Sequence, residues 1–129
     1  MAYTYDYDTA YHGPAVPVVE IEVGAADAAQ INVTLRALVD SGADATMIPV
    51  RYLQQLGAKV VDRRRLRSST DVSYPVDIYA VALTVGPFTH AALEVIGNRQ
   101  SDDIIVGRDV LNHMIVTLNG LANVVELSY

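Results

Sequence analysis

The chain has 129 residues, 51% of them hydrophobic, no cysteine and a formal net charge of −6 at pH 7. That length and composition fit one domain with a core and exclude global disorder. The acidic balance argues against nucleic acid as the main partner, and the missing cysteine excludes disulfides, thiolate metal sites and a cysteine nucleophile.

Residues 1–13 form a Tyr-rich extension ahead of a domain expected over residues 14–129. Tyr3, Tyr5, Tyr7 and Tyr11 interleave there with Asp6 and Asp8. Such a leader reads as a mobile or draping tail, with an added edge strand as the alternative. It lacks the basic and apolar regions of a signal peptide, and no apolar run approaches the ~20 residues that cross a bilayer. With no cysteine to protect, the expectation is a cytoplasmic protein away from membranes.

Val19, Ile21 and Val23 alternate with Glu20 and Glu22, which predicts a half-buried strand. Gly24 to Gln30 reads as a turn. A second alternation, from Ile31 to Val39, runs straight into Asp40-Ser41-Gly42-Ala43-Asp44, after which apolar residues resume at Met47 and Ile48. Asp40 therefore stands where a strand stops and a tight turn begins. Such loops commonly carry function, which makes Asp40 a candidate catalytic acid, although Asp, Ser and Gly also build ordinary turns.

Pro49 and Gly57 bracket a short helix with Tyr52, Leu53 and Leu56 on its apolar side. Ala58 to Val61 suggests a strand. Arg63, Arg64, Arg65 and Arg67 then form a basic run with Lys59. The run reads as a solvated strand edge in preference to an anion site. Pro75 to Val85 returns to strand character, so the stretch forms a long hairpin with its tip in Ser68 to Tyr74. Gly86-Pro87 turns the chain into a strand at Phe88 to Ile96. Ile104-Ile105-Val106 reads as a short buried strand ending at Gly107, and Asp109 to His113 as a second short helix. Ile115 to Leu118 and Val124 to Leu127 flank the turn signal Asn119-Gly120. His90 and His113 read as packed histidines. The sum is a mainly β domain with one or two short helices. Leu38-Val39-Asp40-Ser41-Gly42 and Ile105-Val106-Gly107-Arg108 each precede a short helix, a weak internal echo suggesting duplication.

These two segments carry a resemblance. Leu38-Val39-Asp40-Ser41-Gly42-Ala43, with Asp44 and the apolar Met47-Ile48 beyond it, is similar to the first motif of the retropepsin-like aspartic proteases. Ile105-Val106-Gly107-Arg108-Asp109-Val110-Leu111 is similar to the second. That family includes the retroviral proteases and bacterial single-domain relatives. The resemblance spans about Val16 to Leu127 and implies a closed, barrel-like β domain. It also implies an endopeptidase acting on polypeptide, with no metal and no organic cofactor.

By the same resemblance, Asp40 is the catalytic carboxylate, and Ser41, Gly42 and Ala43 support its loop. Asp44 meets substrate backbone and pairs with a buried Arg108. Ile105, Val106 and Gly107 form the loop through which the Asp-bearing segment threads. Ser68, Ser69, Thr70, Asp71 and Val72 form the tip of a flap over the substrate. The chemistry needs two such carboxylates and the chain has one Asp-Ser-Gly, so a homodimer is expected, with Val124 to Tyr129 as the terminal strand of a shared sheet. The sequence departs from the family in Ser41, where threonine is commoner, and in the flap. No glycine occurs between Gly57 and Gly86, which predicts a stiffer lid. A catalytically weak or inactive binding module of the same fold is the alternative.

Overall fold

The alternating apolar residues of the first strand predict where the core begins, and the structure follows them. The structure is a computed structural model that describes residues 2–129. In β2 (Val18–Ala25), Val19, Ile21 and Val23 are almost fully buried while Glu20 and Glu22 face solvent. β2 pairs antiparallel with β3 (Ala28–Val39), setting Val19 against Ala37 and Ile21 against Leu35. The turn between them is only Ala26-Asp27, shorter than the Gly24 to Gln30 expected. Gly24 and Ala25 are weak strand formers, yet they stay in the ladder because β2 also pairs with β6 (Ser73–Val85), matching Val23 with Leu83 and Ala25 with Val81.

That second pairing closes the main sheet. Its order is β2, β3, β8 (Ile105–Val106), β4 (Met47–Pro49), β7 (Phe88–Asn98), β6 and β5 (Lys59–Arg67), with β2 and β6 also joined. β5 hangs outside the closed barrel and bonds only to β6, so nearly all its residues are exposed. The three-residue β4 was not evident from the sequence. It is too short to show a period and is specified by its neighbours, parallel to β7 and antiparallel to β8.

Helix α1 (Val50–Gln55) starts one residue later than expected, with Pro49 in the capping position. Leu56 caps its other end and Gly57 follows at φ +70°, the left-handed conformation that glycine adopts without a Cβ penalty. Leu53 is fully buried and joins the core cluster that also holds Ile48, Val81, Val95, Val106 and Val110. Helix α2 (Arg108–Leu111) is a single turn that buries Val110 and Leu111. Neither helix is long and apolar enough to cross a membrane.

A separate sheet stands at the chain ends, ordered β1 (Tyr3–Asp6), β10 (Val124–Ser128), β9 (Ile115–Asn119). This corrects the tail reading of the N-terminal extension. Tyr3 pairs with Leu127 and Asp6 with Val124, and Tyr5 and Tyr7 pack on the core. Asp8 then bridges to Val16, so the extension is folded onto the domain. Met1 lies outside the described residues. The sheet also shows that β10 is flanked on both sides, which its sequence could not reveal.

Gly97 marks a tight internal approach. A Cβ there would lie 2.6 Å from Cε1 of buried Tyr79 and 3.1 Å from Cγ2 of Val50. Gly97→Ala is therefore expected to destabilise the fold by about 1–3 kcal/mol, the usual cost of overpacking, measured by denaturant unfolding.

Candidate active site

Strand β3 ends at Val39, and the chain turns sharply through Ser41 and Gly42. Asp40 sits at that exit, half-buried. Its backbone N–H donates to Val106 O at 3.1 Å and its carbonyl accepts from Ala43 N–H at 3.2 Å. Its Oδ1 accepts from the Gly42 N–H at 2.9 Å. A side chain at position 42 would crowd that oxygen, since a Cβ there would lie 3.1 Å from it. The carboxylate is thus aimed by the turn that follows it. Among the described residues its second oxygen has no hydrogen-bond partner.

The structure sets Ile105, Val106 and Gly107 beside the Asp40-bearing segment. β8 lies beside β3 in parallel register, Leu38 against Ile105 and Val39 against Val106, and touches β4 through Ile105 and Met47. The 40–46 loop wraps this strand so closely that Gly107 admits no side chain. A Cβ there would be 2.7 Å from the Ala45 carbonyl carbon and 2.9 Å from the Ala43 carbonyl oxygen, both backbone. The Arg108 N–H donates to that Ala43 oxygen at 2.9 Å.

The Arg108 guanidinium reaches back over the loop, donating to the Ser41 carbonyl at 2.6 Å and to the Asp44 carboxylate. The Asp44–Arg108 pair exists, but it is not buried as expected: the side chains are 91% and 40% exposed. Its Coulomb energy is correspondingly screened. For Ser41 it is the carbonyl, not the hydroxyl, that makes the contact within one chain.

The buried tie is elsewhere, and the sequence reading missed it. Thr46 is fully buried. Its hydroxyl donates to Asp109 Oδ1 at 2.8 Å and accepts from the Gly107 N–H at 3.2 Å, while its own N–H donates to Asp109 Oδ2 at 3.0 Å. Asp109 is thereby consumed in holding the two loops together and is not free to act as a second acid. The available signal was a lone threonine between Ala45 and the apolar Met47-Ile48, paired with a carboxylate at the first turn of α2.

The long hairpin β5–β6 has its tip at 68–72 as expected. Without glycine it closes by other means. Ser68 N–H donates to Val72 O at 2.9 Å, Asp71 N–H to Ser68 O at 3.0 Å, and the Ser68 and Thr70 hydroxyls share a bond of 2.8 Å. Asp71 takes the left-handed position at φ +65° and pairs with Arg67 at 3.3 Å. Ser69 and Val72 are exposed. Below the tip, Val76, Ile78 and Ile96 form a second apolar cluster against which Ala45, Met47, Leu66 and Tyr74 pack. A cleft of about 320 Å³ opens along this face, with Met47, Tyr74 and Val76 as apolar walls and Asp77 between Arg63 and Arg99 at its rim.

The basic run is largely neutralised. Arg63 pairs with Asp77, Arg64 with Asp62 and Glu94, and Lys59 with Asp27. The Arg63 backbone N–H, and next the Arg64 side chain, hold the Asp62 carboxyl below its ordinary value. An anion site would need these guanidinium groups free.

The aspartyl protease family profile matches residues 19–110, more than half of the chain, so the chain belongs to that family. Among solved structures it is similar to a retropepsin-like aspartic protease from Rickettsia conorii. That likeness has a TM-score of 0.63 at 11% sequence identity and covers 100% of this chain and 91% of the other. The fold is retropepsin-like. No curated protein matches the chain in sequence.

Removing the buried hydroxyl tests the tie. Thr46→Val keeps the shape and leaves Asp109 Oδ1 and the Gly107 N–H without their partner. It is expected to cost about 1–3 kcal/mol in denaturant unfolding, with Thr46→Ser costing less.

Proposed function

We propose that the protein is an endopeptidase in which a homodimer brings together two Asp40 carboxylates, one from each chain. The observation that carries this reading is the Asp40 loop itself. One carboxylate is aimed by a glycine turn, and its loop is tied through Thr46 to Gly107 and Asp109, in a chain of the aspartyl protease family. Among the described residues no second carboxylate is similarly placed: Asp44 is taken by Arg108 and Asp109 by Thr46.

In this reading two facing carboxylates share one proton, because both cannot ionise easily at short range. The ionised member takes a proton from water as it adds to the scissile carbonyl. The protonated member hydrogen-bonds that carbonyl and then helps protonate the leaving amine. The chemistry asks for no metal or cofactor. Asp44 and Arg108 line the substrate backbone, and the 68–72 tip covers an extended polypeptide lying on the Met47, Tyr74 and Val76 face. That face suits apolar side chains around the cut.

Two outcomes are expected in a peptide-library digest. Asp40→Asn lowers cleavage by about 100-fold or more, the loss of acid–base catalysis, while unfolding stability changes little. Wild-type rate against pH is bell-shaped. Below the lower apparent pKa both carboxyls are protonated and no base remains. Above the upper one both are ionised and no acid remains. Both values belong to the pair.

One observation favours a second reading, a peptide-binding module that turns substrate over slowly or not at all. The flap tip is braced by the Arg67–Asp71 pair and lacks glycine. Asp71→Gly relieves the left-handed strain and removes that brace. A rise in turnover in this variant supports the peptidase with a slow lid. Peptide affinity with no cleavage in either wild type or Asp71→Gly supports the binding module.

A further inference from the structure

The β6–β7 ladder ends at Ile78↔Ile96, and beyond it the two strands part. β7 continues beside β4, matching Gly97 with Ile48 and Asn98 with Pro49. β6, followed back toward its start, stays with β5, matching Asp77 with Arg63 and Val76 with Arg64. The cleft of about 320 Å³ is the wedge between them. Met47, which lines it, is paired with Ile105 of β8, and β8 runs beside the strand that ends at Asp40.

The rim of the wedge carries an uneven set of charges. Its ionised lining residues are Arg63, Arg99 and Asp77, two cations to one anion. Arg63 holds Asp77 Oδ1 at 3.1 Å, while Arg99 stands 3.8 Å from Oδ2, too far for a hydrogen bond. Asp102, in the same loop as Arg99, pairs with Arg51 at 3.5 Å instead. A guanidinium presents a planar fork of N–H donors that matches a carboxylate, and the fork of Arg99 is left without a close one.

Arg99 is held at this rim by the residue before it. Asn98 is 6% exposed and its amide is used on both sides. Oδ1 accepts from the Gln100 N–H at 2.9 Å and the Ser101 N–H at 3.4 Å. Nδ2 donates to Ser101 Oγ at 3.1 Å and to Asp103 O at 3.3 Å. The loop that bears Arg99 is thus wound around a buried amide.

We infer that Arg99 reads an acidic side chain of the bound polypeptide, so that the wedge takes a segment with Asp or Glu beside apolar residues. This rests on the peptidase reading for its occupant. Charge complementarity supplies the rest: on a chain of net charge −6 the wedge is a local excess of positive charge. Met47, Tyr74 and Val76 form its apolar walls, and a low local dielectric strengthens a contact made between them. Asp77 keeps Arg63, so the arginine run of β5 stays neutralised while Arg99 takes the new carboxylate.

A set of labelled peptides built from Leu, Ala and Gln, each with one Glu, Gln or Lys at a stepped position, tests this. Binding is read by fluorescence anisotropy on Asp40→Asn, so that the probe stays intact, and cleavage is read on wild type. At one position Glu is expected to bind about 5-fold more tightly than Gln, the upper range for an exposed ion pair. Arg99→Gln, added to Asp40→Asn, removes that preference and keeps the affinity for the Gln peptide. Arg99→Glu turns the preference toward Lys, and Arg51→Gln leaves it as it was. High salt shrinks it. The melting temperature is the folding control.

If no position favours Glu, if the preference survives Arg99→Gln, or if none of the peptides binds, the inference is overturned. Cleavage by wild type without a preference for Glu keeps the peptidase and removes this role of Arg99. A preference that depends on Arg99, with no cleavage of any peptide by wild type, upholds the charge reading and overturns the peptidase in favour of the binding module.

Discussion

The Thr46 hydroxyl sits at the point on which the rest of the site depends. It lies fully buried between the carboxylate of Asp109 and the backbone N–H of Gly107, and it joins two segments distant in sequence. A buried polar group without partners is costly, so each member fixes the others. Gly107 fits only because it has no side chain, and its fit lets the 40–46 loop close over β8. Closure in turn brings Arg108 onto the Ser41 carbonyl and Asp44. Asp40 is then held by Val106 behind and Gly42 ahead. The exposed ion pair at the surface adds little by comparison, so the order in the loop comes from the interior outward.

The same arrangement explains how the barrel and the β5–β6 hairpin share a boundary. β6 has two faces: Tyr79, Val81, Leu83 and Val85 belong to the main core, while Val76 and Ile78 belong to the second cluster below the hairpin tip. Even and odd positions of one strand point to opposite faces, so β6 serves both clusters, and the register shift lies on β5 between Val60 and Asp62. The hairpin therefore leaves the barrel with one apolar side already turned toward the Ala45 and Met47 region. Its outer strand spends its charges on neighbours along the edge, which keeps the arginine run from acting as a binding surface.

Much of this was legible in the sequence, because strand periodicity and the two Asp- and Arg-bearing motifs are local signals. The strands around Ile21, Leu35 and Val81, the turn after Val39, and the hairpin tip near Thr70 all follow from period and turn chemistry. What was not legible is set by pairing at long range. β4 is too short to show a period. Gly24 and Ala25 remain strand only because two neighbours bond them. Tyr3 to Asp6 is ordered by β10, and no local pattern distinguishes that from a loose acidic tail. Thr46 and Asp109 looked ordinary because their importance lies in meeting each other across the threaded loop. The burial expected for Arg108 failed for the converse reason: a motif names the partners of a charge without giving its depth.

In the proposed reading, a chain that holds one aimed carboxylate, with Asp44 and Asp109 committed, needs a second copy to complete the site. The most direct measurement mixes wild type with Asp40→Asn at constant total concentration and follows peptide cleavage as the wild-type fraction is varied. Random pairing into a site needing Asp40 from both chains predicts that activity falls as the square of the wild-type fraction. A strictly proportional fall, with subunit exchange shown to be complete, would contradict the account, because each chain would then be working alone.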